Sequence, residues 1–594
     1  MLAFGPVSFT RLATLAIVVL GAVAIAGVTG PIAADWVSSG ASVTISVIAT
    51  TDLHGGVLQR GERGGLALLG GYLRNIRAAR LRDGGGVLLV DSGDMFQGTL
   101  ESNMNEGAAV VRAYNRLGYA AAAIGNHEFD YGPVGPRSTP TTPSDDPRGA
   151  LKARAAEARF PLLAANVIDE STGQPVAWPN IRASTMVTVA GVKVGIVGVT
   201  TTSTPVTTIA ENLGGLSFAP LAPAIAREAS SLRAEGASAV VVLAHAGGRC
   251  TSFEAPADVS SCDPMSEIMD VVHALPPGLV DVVAAGHTHQ GMAHRVNGVA
   301  VVEGYFSGRA FSRVDLTVSR ASGTLVGARI FPPEDLCARE DLTTRACDAS
   351  ATAAQLVAAG YEGRPVVADP AIAEVLAPAV RAALAVKNDP LGVVLDTELP
   401  RSPQTESALG NLLADEILAA TPHADVSIVN GGAIRTSLPA GTLTFGQLYE
   451  VYPFDNRLVT LTLTGDQLSQ LVTFNLQRRE PPLEILSIAG VQVVASCESG
   501  ALRVVLRRRD GSVIGKDDRL TVVTNDFVAS GGDGVLSPLG PVGAARSLEG
   551  VPLLRDAVAN GLRRRGGHVS EDQLRVSGSP RWSYPGSRPV SCGV

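Results

Sequence analysis

The chain of 594 residues has 46% hydrophobic and 18% charged residues, 65 glycines and a net charge of -8. At about 150 residues per domain it is long enough for two to four domains, and its composition excludes disorder and fibrous repeats. Its basic runs are short, such as Arg507 to Arg509 and Arg563 to Arg565, which argues against long nucleic acid as a partner; any bound phosphate must be held by local groups.

At the N-terminus Arg11 precedes the apolar run "LATLAIVVLGAVAIAGVTG" and then "PIAADWVSSGAS". Residues 1–34 read as an export signal, with Ala24-Ile25-Ala26 as a small-x-small cleavage site, or as an uncleaved N-terminal membrane anchor. The rest has no further uncharged apolar stretch of about 20 residues, so a soluble, exported body is expected, periplasmic, surface-bound or secreted. Six cysteines agree with an oxidising destination. Pairing in sequence order is expected: Cys250 with Cys262, Cys337 with Cys347 and Cys497 with Cys592. None has the C-x2-C spacing of a zinc-thiolate site.

Residues 43–335 repeat a β-branched run, a motif rich in Gly, His and Asp, and a helix-like stretch. The runs are "VTISVIAT" (43–50), "GVLLV" (86–90), "YAAAAI" (119–124), "VKVGIVGV" (192–199), "AVVVLA" (239–244) and "VDVVAA" (280–285). Continuously apolar strands fit a sheet covered on both faces, so an α/β sandwich is expected, with ligands beyond the carboxyl ends of its strands. The stretch 132–149, rich in Pro, Ser and Thr, reads as an exposed, mobile insertion, acidic at Asp145 and Asp146, and either a lid or inert. Residues 336–390 read as a linker with a helix, in which Leu356, Val357, Ile372, Val375, Leu376, Val380 and Leu384 recur at helical intervals. A second domain, residues 391–594, has a helix signal in "ESALGNLLADEILAAT" and strands in "DVSIVN", "RLVTLTLTG", "VQVVAS" and "RLTVVTN".

Five of the nine histidines follow strands of the first domain: His54, His127, His245, His287 and His289. Their motifs also carry Asp52, Asp94, Asn126 and Asp130. In extended backbone Asp52 and His54 would share a side, as would His287 and His289, so each pair is expected to reach one ion. Imidazole, carboxylate and amide oxygen without thiolate suit Zn, Mn, Co or Fe. Asp52, His54, Asp94, Asn126, His245, His287 and His289 are too many ligands for one open four-coordinate ion, and suit two divalent metal ions sharing a carboxylate. Such a pair lowers the pKa of a bridging water and clamps a phosphoryl group for in-line attack.

With these motifs the chain resembles the binuclear metallophosphoesterases, and among them the secreted 5'-nucleotidase family that includes UDP-sugar hydrolases and 2',3'-cyclic nucleotide phosphodiesterases. The resemblance spans residues 43–580 or so. It implies a four-layer-type α/β metallophosphoesterase sandwich followed by an α+β nucleotide-binding domain. It implies one metal site of Asp52, His54, Asp94 and His289, and a second of Asp94, Asn126, His245 and His287. It makes His127 and Asp130 a catalytic dyad beside the phosphoryl group, with Gly125 letting the backbone turn beneath; Glu128 and Phe129 receive no role. In "SIVNGGAIRTSLPAG" it implies substrate contacts from Asn430 and the phosphate-binding Arg435. Phe454 and Phe527 match the pair that sandwiches a nucleobase, Asn456 and Asp533 match base and ribose contacts, and Arg401 matches a further phosphate ligand, on a longer spacing to Gly410. The implied activity is removal of phosphate from nucleotides by a metal-bridging hydroxide. The alternatives are a 2',3'-cyclic nucleotide 2'-phosphodiesterase/3'-nucleotidase and a non-catalytic extracellular nucleotide binder.

Overall fold

Ile45, Val47 and Ala49 bury one face of the strand Ser42–Thr50, and Ile48 buries the other. A strand apolar on both faces needs a layer on each side. The structure, a computed structural model, describes residues 41–347, 355–479, 483–540, 545–548, 552–574 and 580–592. The expected export segment 1–34 lies outside the described residues, among which no helix is long and apolar enough to cross a membrane.

Parallel strands Ser42–Thr50, Gly86–Asp91, Ala121–Ala123 and Leu162–Leu163 lie side by side in an eight-stranded sheet. Val192–Thr200, Ala239–His245, Val282–Ala285 and Val299–Gly304 do the same in a six-stranded sheet. The inner faces pack on one another, Ile45, Val47, Leu88 and Val90 against Val194, Ile196, Val241 and Leu243. Helices Leu66–Asp83 and Ala108–Leu117 cover the outer face of the first sheet; Leu221–Ala234 and Glu267–Ala274 cover the second. The order helix, sheet, sheet, helix is the expected four-layer sandwich. Its two sheets are sewn together where their strands end: Ser92 Oγ donates to the Ala284 carbonyl at 2.8 Å and Thr200 Oγ1 to that of Ile124 at 2.5 Å. All loops that follow these strands therefore open on one edge.

The linker departs from its expected reading. Leu356 and Val357 are not helical; Leu356–Ala358 pairs antiparallel with Arg339–Asp341, beside the Cys337–Cys347 disulfide that ties down the same hairpin. The helix is Pro370–Lys387, capped by Asp369, whose carboxylate accepts the Ala371 N–H at 2.9 Å. It buries Ile372, Leu376, Ala379 and Ala383. Close approach of the chain just before it to helix Leu66–Asp83 requires glycine at position 71, where a Cβ would collide with the Val367 carbonyl. The helix is thus packed into the first domain.

The following domain is α+β. A five-stranded sheet has the order Ser487–Ala489, Val426–Val429, Arg519–Asn525, Leu458–Thr464 and Arg546–Ser547. Helix Ala408–Ala420 begins where Ser407 accepts the Gly410 N–H. Helices Gly465–Gln477 and Leu554–Arg565 complete it with the hairpin Val491–Glu498 and Ala501–Arg508.

The three disulfides are Cys250–Cys262, Cys337–Cys347 and Cys497–Cys592, as expected from order alone. Their sequence separations of 12, 10 and 95 residues predict unequal effects. By loop entropy, opening the long one costs about 4 to 5 kcal/mol and a short one about 3. In denaturant titrations the Cys497→Ser/Cys592→Ser double variant should lose more stability than Cys250→Ser/Cys262→Ser.

Candidate active site

The loops after six strands meet at one end of the sandwich, and their polar side chains are buried there. Asp52 and His245 are fully buried; His54, Asp94 and Asn126 are nearly so. The ligand-type atoms form two groups, Asp52 with His54 and His289, and Asp94 with His245 and His287, each with its atoms within 4.8 Å of one another. Asp94 lies between them: its Oδ2 is 3.1 Å from His245 Nε2 and 3.8 Å from His54 Nε2. Asn126 Oδ1 is 3.0 Å from His245 Nε2, while its Nδ2 donates to the Thr207 carbonyl at 3.0 Å, which fixes the amide orientation. A third grouping, Cys250, Cys262 and His294, offers no thiolate because the cysteines form a disulfide.

Hydrogen bonds behind the ligand atoms set the tautomers. His54 Nδ1 donates to the Gln97 carbonyl at 2.8 Å and His245 Nδ1 to that of Ser92 at 3.0 Å. A carbonyl only accepts, so the Nε2 lone pairs face the centre. There His54 Nε2 faces His289 Nε2 at 2.9 Å, and His245 Nε2 faces His287 Nδ1 at 3.2 Å. Lone pairs converging beside two buried carboxylates are a donor set that divalent cations fit. Without a cation the electrostatics divide the rings, leaving His54 and His287 neutral while the carboxylates hold a proton on His245 that a cation would displace. Burial pushes His54 down, as does the neighbouring His289; burial and His245 push His287 down to about 3. For His245 burial acts in the same direction, but Asp94 outweighs it and raises the imidazole to about 10. Burial would raise Asp52, yet contact with His289 holds it at about 2.

The backbone here is not extended, contrary to expectation. Asp52 and His54 both have φ 48°, Asp94 55°, His287 78° and His289 60°. The chain turns because Asp52 N and His54 N donate to the carbonyls of Gly93 and Asp94, at 3.0 and 2.9 Å. The side chains converge through these turns, each costing about 1 kcal/mol or more in a left-handed non-glycine residue. Gly125 is required by space: a Cβ there would collide with the Asp94 carboxylate.

Buried carboxylates meet part of this cost, and the sequence had assigned them no role. Glu128 accepts the N–H groups of Asp94 (2.9 Å), Met95 (2.7 Å) and Gly125 (2.7 Å). Glu303 accepts those of Gly248 and Gln290 and the Thr288 hydroxyl. Burial raises both acids to about 8. Glu128 stood in the run "GNHEFD" (125–130) as an acid without a role; Glu303 had no local signal.

His127 Nδ1 lies 2.6 Å from Asp130 Oδ2, and Asp130 Oδ1 accepts the Thr208 hydroxyl at 2.6 Å. Burial disfavours the imidazolium, but Asp130 and Asp94 outweigh it and the His127 pKa is raised. These residues form the floor of a cleft of about 1360 Å³ whose opposite wall is the second domain. Arg401, Asn430, Arg435, Phe454, Asn456, Phe527 and Asp533 all line it, so every expected site residue reaches the cleft except Asp52 and His245, which are buried behind its floor. Burial lowers the Arg435 pKa, and Arg401 acts in the same direction. One network joins the three loops of that wall. Asn430 donates to Asp533 at 2.6 Å, Asn525 to Asn430 and to Tyr452 (both 3.0 Å), Tyr452 to Asn456 (2.9 Å), and Asn456 to Asp526 (3.1 Å). The Asn456 amide is therefore half engaged within the protein. The insertion is less free than expected: Ser138 accepts from Asn212 at 2.8 Å and donates to the Asp455 carbonyl at 3.3 Å, bridging the cleft.

Residues 45–291 match the family model of the calcineurin-like phosphoesterases, and residues 384–538 that of the 5'-nucleotidase C-terminal domain. The chain belongs to the calcineurin-like phosphoesterases that carry this C-terminal domain, and is a metal-dependent phosphoester hydrolase. Among curated proteins it is 27% identical to Endonuclease YhcR of Bacillus subtilis over 84% of this chain, though it spans only 38% of that protein's length. It is 26% identical to Protein UshA of Yersinia enterocolitica over 82% of this chain and 86% of UshA. The structure of a 5'-nucleotidase precursor from Thermus thermophilus has the same fold, with a TM-score of 0.66 at 24% identity, covering 88% of this chain and 97% of that one. The family is the one that the strand-end motifs had indicated.

Glu128→Ala would strip three buried N–H groups of their acceptor, each worth about 1 kcal/mol or more. Urea unfolding of the metal-free variant should show a loss of about 3 kcal/mol, and Glu128→Gln a smaller one.

Proposed function

We infer that this chain is an exported nucleotide phosphohydrolase of 5'-nucleotidase type using two divalent cations. Asp52, His54, Asp94 and His289 would hold one cation, and Asp94, Asn126, His245 and His287 the other. The observation that carries the reading is the pair of ligand clusters sharing Asp94 at the floor of a cleft whose far wall offers Arg435 and Phe454. Bound there, the cations supply Lewis acidity toward a phosphoryl oxygen and activation of water at neutral pH. His127, oriented by Asp130, donates from its free Nε2 to charge developing on the phosphoryl or leaving oxygen. Arg435 and Arg401 bind the phosphate from the other side, which lets a chain of net negative charge hold an anion. Phe454 and Phe527 stack on the base, Asn456 and Asp533 contact base and ribose, and Asn430 holds Asp533 in place. Export is supported by the three disulfides and the N-terminal sequence pattern.

Phosphate release from AMP with Mn²⁺ or Co²⁺ tests the reading. The wild type should turn AMP over faster than 3'-AMP or 2',3'-cyclic AMP, and Asp94→Ala should abolish turnover. Metal-loaded protein inert on every nucleotide would sink it. In His127→Asn, kcat should fall by about 10² to 10⁴, with metal content unchanged.

A further inference from the structure

The segment 452–457, which carries Phe454, has no regular secondary structure, yet all six of its carbonyls accept a hydrogen bond. Those of Asn456 and Arg457 accept from the backbone of Leu554 and Asp526, each at 2.9 Å. The other four accept from side chains. Arg555 Nη1 donates to the Tyr452 carbonyl at 3.3 Å and the Phe454 carbonyl at 3.1 Å, while its Nη2 pairs with the Asp455 carboxylate. Pro453 O receives Gln97 Nε2 at 3.0 Å and Asn103 Nδ2 at 3.2 Å, both from the catalytic domain. The Asp455 carbonyl receives Ser138, from the insertion.

Arg555 is held for this task. It is 5% exposed at the start of helix Leu554–Arg565, and its guanidinium lies 4.1 Å from the centre of the Tyr449 ring. Stacking fixes the plane of the fork, and a lysine cannot reproduce it. Gln97 acts at two places: its carbonyl orients His54, and its side chain holds Pro453. We propose that Arg555 on one side and Gln97 and Asn103 on the other are positioning residues that clamp the aromatic loop, so that Phe454 meets the base in register with the metal-ligand floor. The proposal rests on the reading of Phe454 as a base-stacking residue.

The clamp touches neither phosphate nor metal ligands through Arg555 or Asn103, so its loss should be felt through the base. In Arg555→Met and Asn103→Ala, KM for AMP should rise about five- to tenfold, the scale of one lost hydrogen bond, with kcat little changed. Ribose 5-phosphate, the same ester without a base, should keep its wild-type kcat/KM in both variants. An unchanged KM for AMP in the folded variants, or equal losses on the two substrates, would overturn the proposal. Hydrogen exchange of residues 452–458 reads the clamp whatever the substrate: faster exchange in Asn103→Ala supports it and unchanged exchange overturns it. Equal wild-type kcat/KM on AMP and ribose 5-phosphate would instead overturn the reading of Phe454.

Discussion

Asp94 is a carboxylate with almost no exposure, placed between two groups of imidazoles and held by the backbone around it. Its Oδ1 accepts the His127 N–H at 2.9 Å, its Oδ2 faces His245, and its own N–H is taken by Glu128. Burying such a group costs several kcal/mol unless charge and hydrogen bonds compensate. Two sheets, six strand ends and strained loops converge to supply that compensation. The four-layer fold makes this feasible: because each sheet is covered on both sides, its parallel strands all deliver their carboxyl ends to one edge.

The same constraint explains the acids behind the floor. The turns that carry the ligand-type residues leave N–H groups on and beside them that no strand ladder takes up. Glu128 accepts those of Asp94, Met95 and Gly125 and Glu303 those of Gly248 and Gln290, and burial pushes the pKa of both acids up. The second domain repeats the device with amides and a phenol strung between two aspartates, since its network from Asp533 to Asp526 fixes the loops around Phe454 and Phe527.

Much of this was legible in the sequence because its signals are local. Val43 to Thr50 and Ala239 to His245 read as buried strands from their own apolar runs, and the histidines after them marked the strand ends. The disulfide pairing also followed the order of the cysteines along the chain. What was not legible depended on distant partners. Glu303 acts on Gly248, 55 residues earlier, and Arg555 on Phe454, 101 residues earlier. Leu356 and Val357 have helical spacing but pair with a stapled hairpin, so tertiary contact overrode periodicity. Asp52 and His54 looked like alternating strand residues because the carbonyls that accept their N–H groups and turn the chain belong to Gly93 and Asp94, in the loop after another strand.

The central claim is that one carboxylate serves two cations. Elemental analysis of purified, metal-loaded protein should find about two divalent ions per chain in the wild type, a selective loss of one in His54→Ala, and loss of both in Asp94→Ala. A single ion in the wild type, or two ions retained in a folded Asp94→Ala variant, would contradict the account.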